Sequence, residues 1–244
     1  MKQPENFRKP QTRHLQLAGC LNLRDLGGYA TSDDKFTSWR TLLRGDSLHR
    51  LSPENQQAII EYGVKTIIDL RTLSEVNKEP YVLSKSPEIS YFNLPLIEEE
   101  DFPQLMAKKS LLEHNYFSLE KRSQKIKEIL EIIATNQTAV VIHCAAGKDR
   151  TGIIIALLLA IARVPVETIA QDYQLSDRFL SSFYVSIKEQ AIKKGFAHML
   201  LSPAEVIMDT FSYLDEHYGG IDGYLQTIGI SQGQIKHLQT ILVN

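Results

Sequence analysis

Apolar positions recur along this chain with two different periods. Short apolar or β-branched runs at residues 65–70 (KTIIDL), 89–94 (ISYFNL) and 139–143 (AVVIH) read as buried strands. Ile126, Ile129, Leu130 and Ile133 fall on one face of a helix predicted over 123–134. Ser52 before Pro53 forms a cap and first position, and Gly63 is placed to end the helix between them. Residues 21–29 (LNLRDLGGY) predict an irregular loop, followed by a polar turn and a strand or hairpin over 36–43. Pro95 and the acidic stretch 98–101 predict a surface loop. The run 153–162 (IIIALLLAIA) is apolar on every face, the signature of a buried helix. Beyond it, residues 169–173, 179–194, 203–218, 223–228 and 232–242 all favour helix, with Pro165 and the Gly219–Gly220 pair as breaks. Strands alternating with helices predict an α/β core with a parallel sheet over 15–162 and a helical extension over 163–244. The two are expected to form one integrated domain spanning 1–244.

Composition narrows the class. Of 244 residues, 27 are Lys or Arg and 29 Asp or Glu, a formal charge of −2, so no general positive field argues for nucleic acid. The apolar run 153–162 is far shorter than the roughly 18 residues a membrane span needs. The polar, basic start lacks the apolar core of a secretory signal, and the expected location is cytoplasmic, with specialised secretion left open. Transient contact with lipid headgroups also stays open, because it depends on where charges cluster. Two cysteines, Cys20 and Cys144, are too few for a disulfide framework and lack structural-zinc spacing. Cys20 reads as core packing. His14, His49, His114, His198, His217 and His237 show no metal spacing, and neither a metal nor a cofactor is expected.

The strongest chemical signal is HCAAGKDRTG at 143–152, lying between a strand and a buried helix. A tight loop at a helix start turns backbone amides toward an oxyanion, and the helix dipole favours the same charge. The amides of Ala145, Ala146, Gly147, Lys148, Asp149 and Arg150 are the candidate phosphate cradle. Arg150 adds a planar guanidinium that can clamp a phosphoryl group by paired hydrogen bonds. The same donors favour a thiolate at Cys144, so the attacking atom is activated by the pocket that binds the substrate. Thr151 can donate to the sulfur and improve it as a leaving group in a second step. His143 reads as a residue that orders the loop. Gly147 and Gly152 allow close backbone approach.

His-Cys, five intervening residues and Arg-Thr resemble the signature of cysteine-dependent protein-tyrosine phosphatases. AGKDRTG resembles more closely that of the atypical bacterial and fungal tyrosine phosphatases, whose members include dual-specificity and phosphoinositide phosphatases. NLRDLGG at 22–28, RGDSL at 44–48, DLR at 69–71, DYQLS at 172–176 and YGGIDGY at 218–224 extend the likeness over nearly the whole chain. The resemblance implies a three-layer α/β/α sandwich with a mostly parallel central sheet and additional C-terminal helices. It implies hydrolysis through a phosphocysteine on Cys144, without a metal. It also carries Arg24 and Asp25 to a loop near the phosphate pocket, where an ion pair and substrate contact are both open readings. Arg44 and Asp46 stand equally open, and Asp69 and Arg71 are expected at the floor of the site, as a structural network that braces it or in direct binding.

A leaving alkoxide or phenoxide must be protonated. Related bacterial enzymes place the acid just before the arginine, which makes Asp149 the first choice, and a phosphate beside a carboxylate favours its protonated, donating form. Asp101, following the acidic run 98–100, is the alternative on a separate loop. Lys148 can neutralise a second phosphate, as in lipid-directed relatives, or bind a carboxylate. Tyr173, Phe179, Phe183 and Tyr184 read as helix packing, with covering of the pocket mouth as the competing role. The expected function is a protein-tyrosine phosphatase with dual or phosphoinositide specificity. A phosphoinositide phosphatase and an inactive phosphate-binding module are the other readings. The oligomeric state does not follow from the residues.

Overall fold

The computed structural model describes residues 12–108, 110–136 and 138–244; the polar start, residues 1–11, lies outside them. Its strands are β1 (Arg24–Asp25), β2 (Leu42–Gly45), β3 (Val64–Asp69), β4 (Ser90–Asn93) and β5 (Ala139–His143). They form one sheet in the order β1-β2-β5-β3-β4. β1 runs antiparallel to β2, and the remaining pairings are parallel. The central strand β5 is buried along its length and alternates its side chains between two apolar clusters. Val140 and Ile142 join one, Ala139 and Val141 the other. That alternation is the period-2 geometry of a strand covered on both faces.

One face is covered by α1 (Pro53–Tyr62) and by residues 15–23 and 81–89. Ser52 Oγ caps α1 by accepting from the Asn55 amide, and Gly63 ends it at φ 111°. The other face holds α5 (Ser123–Thr135) and α6 (Asp149–Ile161), in which every residue from 151 to 161 is buried. α8 (Ala204–Tyr218), α9 (Ile221–Thr227) and α10 (Gln232–Leu242) pack into the same cluster through Ile207, Leu214, Leu225 and Leu238. The chain is a mostly parallel α/β fold with helices on both faces of the sheet. Among the described residues no helix is long and apolar enough to cross a membrane.

Three elements depart from the sequence expectation. The strand expected over 36–43 contracts to β2, preceded by an isolated bridge between Ala30 and Phe36. The acidic stretch 98–101 is a capped turn with Asp101 buried, in place of a solvated loop. The two helices expected around 169–194 are one, α7 (Val166–Lys193). Its polar middle is buried against the rest of the molecule: Asp172 and Ser176 meet partners from distant segments, and Asp177 accepts from Ser202. Polar residues that suggested a break instead satisfy an interior network.

Candidate active site

Residues 144–150 connect the end of β5 to the start of α6, and the loop is shaped from outside. Its carbonyls are drawn away from the centre. The Ser47 amide donates to Ala145 O at 3.0 Å, and Asn22 Nδ2 donates to Ala146 O at 3.0 Å and Gly147 O at 3.1 Å. Arg44 Nη2 donates to Gly147 O at 2.7 Å and Lys148 O at 3.3 Å. Carbonyls held outward leave the loop's amides for an anion within, and the α6 dipole adds to the same field. Gly147 makes the crossing possible. Its φ is +65°, and a Cβ there would stand 2.2 Å from Gly45 O.

The donors that pull on the loop are themselves anchored by one buried carboxylate. Asp172 Oδ1 accepts from Arg24 Nε at 2.8 Å and Tyr29 Oη at 2.9 Å, and Oδ2 accepts from Arg44 Nη1 at 2.7 Å. Burial opposes the charge of Asp172, but the two guanidiniums outweigh it and hold the carboxyl well below the ordinary range. Arg24 Nη1 also donates to Asn22 Oδ1 at 2.6 Å, which aims the Asn22 amide at the loop. Asp46 fixes the adjoining segment, accepting from the amides of Leu21 and Asn22 and from the Cys20 thiol.

Inside the loop, Cys144 is 3% exposed at the end of β5. Arg150 forms a two-bond ion pair with Glu75 of α2 (Leu73–Lys78), Nη1 to Oε2 at 2.6 Å and Nη2 to Oε1 at 2.8 Å, and Nη1 also reaches Leu70 O at 3.4 Å. Among the described residues no acceptor meets Nε of the guanidinium, whose fork geometry suits a phosphoryl group. Burial works to raise the Glu75 carboxyl, but the Arg150 hydrogen bond and charge prevail and keep it ionised below its ordinary range. Asp149 opens α6, with Oδ1 2.9 Å from Lys148 Nζ and 3.0 Å from Tyr173 Oη.

The loop from Cys144 to Arg150, its carbonyls held from outside, is the candidate site, and comparisons with known proteins place the chain in a family. Residues 15–244 match the model of the tyrosine phosphatase family. The chain belongs to the tyrosine phosphatase family. It is 31% identical over 218 residues to a tyrosine-protein phosphatase of Nostoc commune, covering 82% of this chain and 73% of that protein. It is 24% identical over 276 residues to the triple specificity protein phosphatase PtpB of Mycobacterium tuberculosis, covering 93% and 98%. A putative tyrosine-protein phosphatase of Cupriavidus necator is 25% identical over 233 residues, covering 88% and 84%. The chain is a hydrolase of the protein-tyrosine phosphatase type.

In this tyrosine phosphatase the remaining predicted residues divide into those at the loop and those away from it. Arg24 and Arg44 stand behind the loop, fully buried and paired with Asp172, a placement that makes them its structural support. Asp25 turns elsewhere, accepting from Tyr62 Oη and the amides of Gly27 and Arg40. Asp69 and Arg71 form a buried pair joined by Tyr91 Oη. His143 Nε2 lies 3.7 Å from Asp69 Oδ2, and its Nδ1 lies 3.3 Å from Cys144 O. Burial drives His143 toward its neutral form. Thr151 Oγ1 is buried without a hydrogen-bond partner among the described residues.

Two candidate residues have partners of their own in the structure. Asp101 is engaged in the capped turn, accepting from the Glu98 amide at 2.9 Å and pairing with the Arg122 guanidinium, and among the described residues it makes no hydrogen bond to the loop. Its carboxylate serves a local structural pair. Lys148, expected to meet either a further phosphate or a carboxylate, is 1% exposed; it pairs with the Asp149 carboxylate, and its ammonium donates to Met199 O at 2.9 Å and Leu201 O at 2.6 Å. Sequence reasoning missed Glu75, Asn22 and Asp172. Thr72 and Glu75 stand three apart as a capping box, a legible signal, but its second use as the Arg150 partner depends on tertiary placement.

Proposed function

We propose that Cys144 is the nucleophile, Arg150 the phosphate clamp and Asp149 the general acid of a protein-tyrosine phosphatase with a cytoplasmic setting. The observation that carries this reading is the outward capture of four consecutive loop carbonyls around Cys144 and Arg150. In the first step the Cys144 sulfur bonds to phosphorus, the P–O bond to the leaving group breaks, and Asp149 passes its proton to the departing oxygen. In the second, water attacks phosphorus, Asp149 takes a proton from it, and the thiolate leaves with phosphate. Inward amides and the free edge of Arg150 stabilise the equatorial oxygens in both transition states. The Thr151 hydroxyl, with no competing partner among the described residues, is available to the sulfur as it leaves.

Phosphotyrosine proteins are the leading substrates. Phosphoinositides are the second class, supported by a lysine within the loop, although Lys148 would have to exchange two carbonyls and Asp149 for a further phosphate. The test is the initial hydrolysis rate on a phosphotyrosine peptide and a phosphoinositide panel, with the wild type and Cys144→Ser. Turnover by the wild type that disappears in the folded variant is expected, with the peptide ahead. A preserved rate in Cys144→Ser overturns the mechanism, and a lipid rate exceeding the peptide rate reverses the substrate order.

A further inference from the structure

The candidate acid is held by one of its two oxygens. Tyr173 Oη and Lys148 Nζ both reach Asp149 Oδ1, at 3.0 Å and 2.9 Å, and among the described residues no donor reaches Oδ2. We infer that Tyr173 and Lys148 are positioning residues that fix the Asp149 carboxyl by Oδ1 and leave Oδ2 to carry the proton to the leaving group. The inference rests on Asp149 as the acid. As the proton leaves Oδ2 and the P–O bond breaks, negative charge grows on a carboxyl already bonded to a hydroxyl and an ammonium. Donors placed where charge develops lower the barrier as well as set the angle.

Both residues are built into place. Tyr173 lies on α7 at 3% exposure, its ring packed on Gly152, where a Cβ would come within 2.8 Å of it. Burial and the neighbouring Asp149 push the Tyr173 hydroxyl up, so it remains a donor throughout the neutral range. The Lys148 ammonium donates to Met199 O and Leu201 O and lies 2.9 Å from Asp149 Oδ1 as its ion-pair partner. The two carbonyls belong to the segment after α7, which Asp177 ties back to that helix through the Ser202 amide and hydroxyl at 2.7 and 2.6 Å. Orientation of the acid therefore depends on residues about 50 positions downstream. Lysine at 148 is thereby assigned to the proton donor, a role distinct from holding a second phosphate.

The experiment measures kcat/KM for the wild type, Asp149→Asn, Tyr173→Phe and Lys148→Met on aryl phosphates whose leaving phenols run from strongly to weakly acidic. Protonation matters most for the weakly acidic ones. Asp149→Asn is expected to lose about 100-fold or more on phenyl phosphate and little on the most acidic phenols. Tyr173→Phe and Lys148→Met are each expected to lose about tenfold on phenyl phosphate, with the loss shrinking in the same order. Inhibition of Tyr173→Phe by inorganic phosphate should be unchanged. Gly152→Ala, which displaces the Tyr173 ring without removing its hydroxyl, should reproduce the Tyr173→Phe slope and guards against a variant that merely misfolds. Uniform losses across all leaving groups in the Tyr173 and Lys148 variants, beside a steep slope in Asp149→Asn, overturn the positioning roles and leave the acid standing. A flat Asp149→Asn series overturns the acid, and this inference with it.

Discussion

Arg150 is useful to a phosphate only while its fork points inward, and Glu75 sets that direction. Two bonds from Nη1 and Nη2 to Glu75 fix the guanidinium plane. Glu75→Gln keeps a side chain that can complete the Thr72 capping box, so α2 should persist while the charge that orients Arg150 is removed. Hydrogen bonds to charged groups contribute about 1.5–3 kcal/mol. A fall in kcat/KM of roughly ten- to a hundredfold is expected, each 1.36 kcal/mol being about tenfold. Steady-state kinetics with a phosphotyrosine peptide checks this, and a rate unchanged from wild type would show that Arg150 orients itself. The candidate nucleophile Cys144 and Arg150 stand out in the sequence because both belong to one contiguous loop. Glu75 was not, because nothing local distinguishes a cap that ends its work at the helix from one that also meets an arginine 75 residues away.

At the scale of elements, α7 is the part most altered by tertiary context. Its polar centre sits against β1, β2 and the loop, and Asp172 supplies the charge that lets Arg24 and Arg44 be buried together. Asp172→Asn leaves two guanidiniums without their countercharge. Breaking a buried ionic cluster by removing one member costs about 3–5 kcal/mol. Urea unfolding of the variant should show an unfolding free energy lowered by that amount, seen as a lower midpoint at unchanged slope, and loss of activity before global unfolding, since Arg44 also holds Gly147 and Lys148. A midpoint equal to wild type would show the cluster to be dispensable. Strands and helices with clean periodicity were legible: β5 at Ala139–His143 and α10 at Gln232–Leu242 fall where the pattern puts them. α7 was not, because a buried ionic network and a solvated break have the same local composition.

For the molecule as a whole, the buried ionisable groups set how stability follows pH. His143 is held neutral by burial, and burial likewise lowers His49 and His114. Below about pH 6.5 the unfolded chain binds protons that these folded sites refuse, so stability declines as the pH falls through that range. Asp172, Asp69 and Glu75 have depressed values despite burial, because of their arginine and histidine neighbours. Their contribution is complete above the ordinary carboxylate range and is lost as pH falls further toward their native values. Asp25, raised chiefly by burial, acts with the opposite sign, and its contribution changes between its raised value and the ordinary carboxylate one, above the range of the other three. Thermal unfolding from pH 8 down to pH 4 should give a falling midpoint, with the decline between pH 7 and 5 reduced in His143→Asn. A midpoint flat from pH 8 to pH 5 would count against neutral buried histidines. The general fold was legible because alternation and capping are local; the pocket's walls come from residues 22–24, 44–47, 75 and 172–176, which only the assembled chain brings together. Closing such widely separated contacts is the slow part of chain assembly, since the entropy of each loop must be overcome before its contacts form. Helices and sheet can thus appear early during folding, while a competent pocket waits for α7 to dock on the arginines behind it.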